Sequence, residues 1–235
     1  MADPTAAADA VTNLNLIQQF AKFMELGGFW MFPILLVLVV GVAIFLERLY
    51  TLTKVERINR SIWNEVFPLL TRGQLKQALD IVKNSDSAIG HILTNGLTHS
   101  LAARRHDDVE VAMEEALMEV LPRLEKGTPY LSTLANVSTL LGLLGTIIGL
   151  IHAFGAVASA DPSEKANLLS KAVSEAMNCT AFGLVTAIPM LIVFTVLQSK
   201  TGQVVGSLEA AAMKYMNIIR QLSAQAQTAQ RPHGE

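Results

Sequence analysis

The chain has 235 residues and a net charge of −2; 51% of its residues are apolar and 16% are charged, fewer charges than the roughly 25% usual for soluble domains. So small a net charge excludes bulk attraction to nucleic acid or to an anionic surface. A single cysteine, Cys179, excludes an intrachain disulfide and a cysteine-rich metal site.

The N-terminal segment 1–27 reads as an outer segment. Within it, Leu16, Phe20 and Phe23 fall at helical spacing, with Ile17 and Met24 beside them. Either a short amphipathic helix on the outer membrane surface or a frayed N-terminal turn accounts for residues 13–26. The block 28–46 follows, nineteen residues without Asp, Glu, Lys or Arg. A helix crossing the hydrocarbon core needs about 20 mostly apolar residues. A cleavable leader fits this block poorly: one basic and three acidic residues precede it, and it ends in Glu47 and Arg48 without a small-residue cleavage pattern. It is expected to be a retained transmembrane helix.

Residues 47–130 are rich in Leu, Ala, Glu, Lys and Gln and show no strand-like alternation, so a helical domain is expected. Breaks fall at Thr71 to Gly73 and at Ser85 to Ala88. Asp107 and Asp108 open a long acidic helix, where negative charge is favourable, and Pro122 is a candidate kink. A second apolar block spans 131–158. A polar loop, 159–171, leads to a third block, 172–197, whose one charge is Glu175. Both later blocks exceed the length a bilayer needs, so their helices should continue outside it. The tail 198–235 carries Val205, Leu208, Ala212, Tyr215, Ile219 and Leu222 at heptad spacing, a seam that should pack against neighbours. Its end, from Gln225, has the composition of disordered chain. The fold class is therefore an all-α membrane protein with three transmembrane helices, two of them extended into a helical cytoplasmic domain.

Basic residues set the orientation. Segment 47–130 holds eleven Lys or Arg and the tail four, against three in the N-terminal segment and the 159–171 loop together. Arg48, Lys54, Arg57 and Arg60 sit directly beside the first span. The N-terminus is expected outside, with 47–130 and the tail in the cytoplasm.

The second span is uneven. Ser132, Asn136, Thr139, Gly142, Thr146, Gly149 and Ala153 recur every three or four residues, and the opposite side is Leu and Ile. Small residues let helices approach and hydroxyls bond between them, which explains the glycines; a wet path explains the hydroxyls equally. On the third span Ala176, Thr180, Gly183 and Ala187 share a face. Glu175, rotated about 100° from Ala176, flanks it near the outer end. An ionisable group within a span costs up to about 3.5 kcal/mol and is a functional candidate by default; the bland account is an interfacial glutamate capping the helix. His152 near the outer end of the second span reads as a surface hydrogen-bonding residue, and Cys179 as a small packing residue. Asn178 fits inter-helix bonding or pore lining.

The run from Leu140 to Gly149 (LLGLLGTIIG), followed by Ala153 and Phe154, resembles the second-span signature of the ExbB/TolQ/MotA proton-channel family. The run from Ala172 to Pro189 (AVSEAMNCTAFGLVTAIP) resembles its third-span signature. The order of segments also resembles ExbB and TolQ; flagellar MotA-type stators have four spans and fit less well. The resemblance implies a homo-oligomeric ring, a pentamer, around a dimer of an ExbD- or TolR-like single-span subunit with a membrane aspartate. It also implies a TonB- or TolA-like effector, or a motility effector. By motif, Thr146 and Thr180 match the family's pore threonines and Glu175 its glutamate. Pore or interface roles extend to Ser132, Asn136, Thr139, Gly142, Gly149 and Gly183. ExbB-like sequences often have Ala-Pro where Ser138 and Thr139 stand, a departure that puts a proline-dependent kink at this entry in question. No cofactor and no metal site are expected.

The function implied is a proton-channel subunit of an inner-membrane motor. The alternative is a non-conducting scaffold that anchors a single-span partner. Zinc-protease, phosphate-loop and nucleophile-elbow motifs are absent from the sequence, so an enzyme is not expected. The sequence leaves open which envelope process is served and whether protons or sodium ions pass.

Overall fold

The computed structural model describes residues 18, 23–24, 28–102 and 106–229. Helices α1 (Met31–Thr71), α2 (Leu75–Lys83), α3 (Ala88–Leu101), α4 (His106–Glu125), α5 (Thr128–Ser159) and α6 (Lys165–Ala229) make up nearly all of it. Three stretches, in α1, α5 and α6, are long and apolar enough to cross a membrane. Within the chain only 17%, 17% and 33% of these apolar windows are buried. Lipid or other protein surfaces must cover the rest, because so much contiguous apolar surface is not left to water. The amphipathic helix considered for 13–26 lies outside the described residues, except that Gln18, Phe23 and Met24 are helical.

Two compact units share the chain: Met1–Phe45 with Tyr130–Phe194, and Leu46–Pro129 with Thr195–Glu235. In the first, the membrane unit, small side chains on α5 and α6 stand beside larger ones at the contacts. Ala135 and Ala187 are buried with Val37 and Met190, and Cys179 and Phe182 with Met31 and Ile34. The turn between α5 and α6 is tight, held by Glu164 and Lys165 N–H groups donating to the Asp161 carbonyl at 2.9 and 3.2 Å. Helix α6 therefore begins at Lys165, and most of the polar segment 159–171 is helical rather than loop.

The second unit has a core of large side chains, among them Val66, Leu70, Leu93, Leu97, Leu208 and Tyr215. Its breaks follow from local chemistry. Gly73 adopts φ +73°, which non-glycine residues rarely take. Ser87 caps α3, its hydroxyl accepting from the Gly90 N–H at 3.0 Å. Gly127, at φ +94°, separates α4 from α5. Helix α4 continues through Pro122 to Glu125.

Three details of the tail differ from expectation. Its buried seam reads Val204, Leu208, Ala211, Tyr215 and Ile219, so Val205, Ala212 and Leu222 only flank it. A continuous helix advances 3.6 residues per turn, and a strict heptad drifts off its contact face. The seam's partners are also the chain's own helices, in one core with α1 to α4. Helix α6 runs to Ala229, so residues 225–229 are helical despite their polar composition.

Candidate functional site

Helices α5 and α6 meet where both lack side chains. A Cβ on Gly183 would stand 2.8 Å from the Ser138 carbonyl oxygen and 3.1 Å from Gly142 Cα; one on Gly142 would stand 3.3 Å from Gly183 Cα. The backbones are therefore in direct contact: a side chain at Gly183 would force the crossing to shift, and one at Gly142 would be crowded. The Ser138 hydroxyl reinforces the crossing, donating to the Gly183 carbonyl at 3.2 Å. From this point the helices run antiparallel, so Gly149 faces Ala176.

The close crossing brings Thr146 and Thr180 together one turn away. Their hydroxyls hydrogen-bond to each other. The Thr146 hydroxyl also lies 3.2 Å from the carbonyls of Gly142 and Ala176, and that of Thr180 lies 3.1 Å from the Gly142 carbonyl. Each hydroxyl has one proton to donate. Two arrangements follow: one threonine donates across and the other to a carbonyl, or the reverse. Such a pair can reorient hydrogen bonds but holds no net charge at neutral pH.

The sequence stripe on α5 divides in two. Gly142 and Ala153 are buried, and Ser132, Thr146 and Gly149 are half-buried, while Asn136 and Thr139 are exposed. The Thr139 hydroxyl donates back to the Ala135 carbonyl at 3.2 Å. The contact seam is instead Leu131, Ala135, Ser138, Gly142 and Gly145, all buried. On α6, Ala176, Gly183 and Ala187 are buried and Thr180 is half-buried.

Sequence reasoning passed over two hydroxyls. Ser138 stands on the seam, and its spacing of four from Gly142 was the available signal. Thr186 is 2% exposed, and its hydroxyl oxygen has no hydrogen-bond partner among the described residues. Its position three residues after Gly183 marks it as part of the same face.

Glu175 stands apart from the threonines. Its carboxylate packs against Gly28, where a Cβ would overlap it and where φ is +73°. The residues just before α1 and the facing parts of α5 and α6 line an open cavity of about 390 Å³, with Trp30, Gly149, His152, Glu175 and Cys179 among its walls; His152 and Glu175 are themselves exposed. Among the described residues no three His, Cys, Asp or Glu side chains converge as a metal site would require. The chemistry available is that of hydroxyls, an imidazole and one carboxylate.

Comparison with known proteins places this geometry. Residues 84–210, which include both the Thr146–Thr180 pair and Glu175, match the MotA/TolQ/ExbB proton channel family. The chain is 28% identical over 190 residues to a biopolymer transport protein ExbB-like 3 of Synechocystis, covering 76% of this chain and 90% of that one. It is 25% identical over 183 residues to the biopolymer transport protein ExbB of Pseudomonas putida, covering 74% of this chain and 55% of that one. With the Tol-Pal system protein TolQ of Haemophilus influenzae it shares 36% identity over 83 residues, 35% of this chain and 36% of the other. The family match covers more than half of the chain, and this all-helical protein with three membrane-length apolar stretches belongs to the MotA/TolQ/ExbB proton channel family.

Proposed function

We propose that this protein is the proton-conducting stator subunit of an inner-membrane motor of the ExbB–ExbD or TolQ–TolR type. It assembles as a pentameric ring around two single-span partner helices, each bearing a membrane aspartate. The N-terminus and the α5–α6 turn face the periplasm, and 47–130 and 198–235 face the cytoplasm. The effector is a TonB- or TolA-like protein, or a motility apparatus.

One observation carries the reading: Thr146 and Thr180 hydrogen-bond across α5 and α6 amid the exposed apolar residues Leu143, Ile147, Met177 and Leu184. Hydroxyls at membrane depth solvate a carboxylate well and change partners without titrating. The chain lacks enough ionisable groups in its spans for a complete relay, and a partner's aspartate supplies the missing acid. Protonated beside the threonines, that aspartate is neutral and can pass an apolar wall. Deprotonated inward, it returns to a hydrogen-bonding position. The proton-motive force, about 2.3 kcal/mol per charge per 100 mV, then drives rotation of the partner within the ring.

The test is Thr146→Val with Thr180→Val, which keeps each side chain branched while removing both hydroxyls. Proton flux into liposomes containing both subunits should disappear while the complex still copurifies. Full flux in the double variant overturns the role given to the pair. A complex that binds its partner but conducts neither protons nor sodium ions in unsubstituted form would be a scaffold. The tight Gly142–Gly183 crossing serves that second reading equally well.

A further inference from the structure

His152 and Glu175 share a cavity, and the threonine pair makes no use of the histidine. His152 lies six residues beyond Thr146 on α5; Glu175 lies five residues before Thr180 on α6. At 1.5 Å per residue the two stand about 9 and 7.5 Å from the threonine level, and the antiparallel helices put both on the same side of it. Both line the 390 Å³ cavity. Phe29 and Trp30, just before α1, line it without adding charge. Of the described lining residues only Glu175 and Cys179 are titratable besides His152.

The hollow has a sequence cause. Gly145 and Gly149 remove side chains from the α5 wall on the turns before His152, and Cys179 fills part of the space, since a Cβ on Gly145 would overlap its sulfur. What remains has room for several waters, which need polar partners to stay. His152 and Glu175 supply them. A carboxylate is seldom protonated from neutral water, whereas an imidazole exchanges protons readily there.

We propose that His152 is the proton-collecting residue of this outer vestibule. A ring nitrogen of His152 takes a proton from outside water and the ring becomes imidazolium. It passes that proton, directly or through vestibule water, to the Glu175 carboxylate. His152 returns to neutral imidazole as Glu175 becomes the carboxylic acid. Glu175 then releases the proton inward, toward the Thr146–Thr180 level, and is a carboxylate again. One proton is taken up and one delivered. The assignment rests on the channel and orientation proposed above.

Two measurements test it. Proton flux is followed in liposomes holding the complex of both subunits, with inner pH fixed and outer pH varied from about 5 to 8. The unsubstituted complex should show a step in flux across that range, and His152→Asn, which keeps a hydrogen-bonding side chain, should lose the step. A merely structural histidine would leave the profile's shape unchanged, so superimposable profiles overturn the proposal. Absence of flux in the unsubstituted complex overturns the channel itself and this proposal with it. Independently, His152→Cys and Glu175→Cys, each in a Cys179→Ser background, should react with a membrane-impermeant thiol reagent added outside. Combined in one chain, they should be joined by a short bifunctional reagent. Reaction from the opposite side only, or no joining, removes the shared outer vestibule.

Discussion

The two units are built by opposite rules, though α1, α5 and α6 contribute to both. Where α5 meets α6, the membrane unit is held by what its helices lack: Gly142 and Gly183 let backbones touch, and Ala135, Ala176 and Ala187 fill the seam. The other unit is held by bulk, with Tyr215, Leu93, Leu97 and Leu208 fully enclosed. The difference follows from solvent. In water, burying a large apolar side chain contributes about 1.5–3 kcal/mol. In lipid that gain vanishes, and association depends on close packing and hydrogen bonds between helices. One continuous helix, α6, follows both codes along its length.

Substitutions that exchange the two codes should break the molecule most severely. Gly183→Leu places a branched side chain against the backbone of Ser138 and Gly142, which cannot yield. The whole crossing must open, and the cost should exceed the usual ~1–3 kcal/mol of overpacking. Size-exclusion chromatography in detergent should show no monodisperse protein, while Gly202→Leu, where a Cβ meets open space, should behave as the parent.

Next comes the bulky core. Tyr215→Ala should destabilise by ~3–5 kcal/mol, as truncation of large buried aromatics does, measured by denaturant unfolding in detergent. Tyr215→Phe sharpens the same comparison through pH. Burial pushes the Tyr215 phenol up to about 12, partly offset by its hydrogen bond with Ser100; the two oxygens are 2.7 Å apart. A folded-state pKa raised above the unfolded value near 10 means that the phenol's contribution is fully present below pH 10. It is lost as pH rises toward 12. Over that window the parent should lose up to ~2–3 kcal/mol relative to Tyr215→Phe, which has no phenol to ionise. Parallel stability curves for the two would sink the assignment.

The smallest effect is expected at a helix end. Ser87→Ala leaves the Gly90 N–H without its acceptor and should cost ~1 kcal/mol. Asn59 bears on the same start of α3, accepting from the Ile89 N–H at 3.2 Å, so Asn59→Leu should add to the loss rather than replace it. A thermal shift confined to the second unit's transition would show that the membrane unit tolerates the change.

Much of this architecture is legible in the residues one at a time. Charge-poor runs of about 20 residues mark three spans, because no other solvent tolerates them. Gly73, Ser87 and Asp107 mark helix ends, because φ > 0, capping and the helix dipole are local requirements. The α6 face with Thr180 and Gly183 follows from periodicity alone. Periodicity did not fix which edge of the α5 stripe is closed: Asn136 and Thr139 share a period with Gly142, yet the contact runs through Ser138.

By itself, then, the sequence determined the helical class, the breaks near Gly73 and Ser87, the three apolar stretches and the residues able to form a polar seam. Only the tertiary structure decided that Thr146 meets Thr180, that Ser138 ties the Gly142–Gly183 crossing, and that the tail's seam closes on its own chain. The reason is physical: helix formation and capping are settled within a few residues of chain. The rotation and depth at which two helices meet depend on every side chain along both.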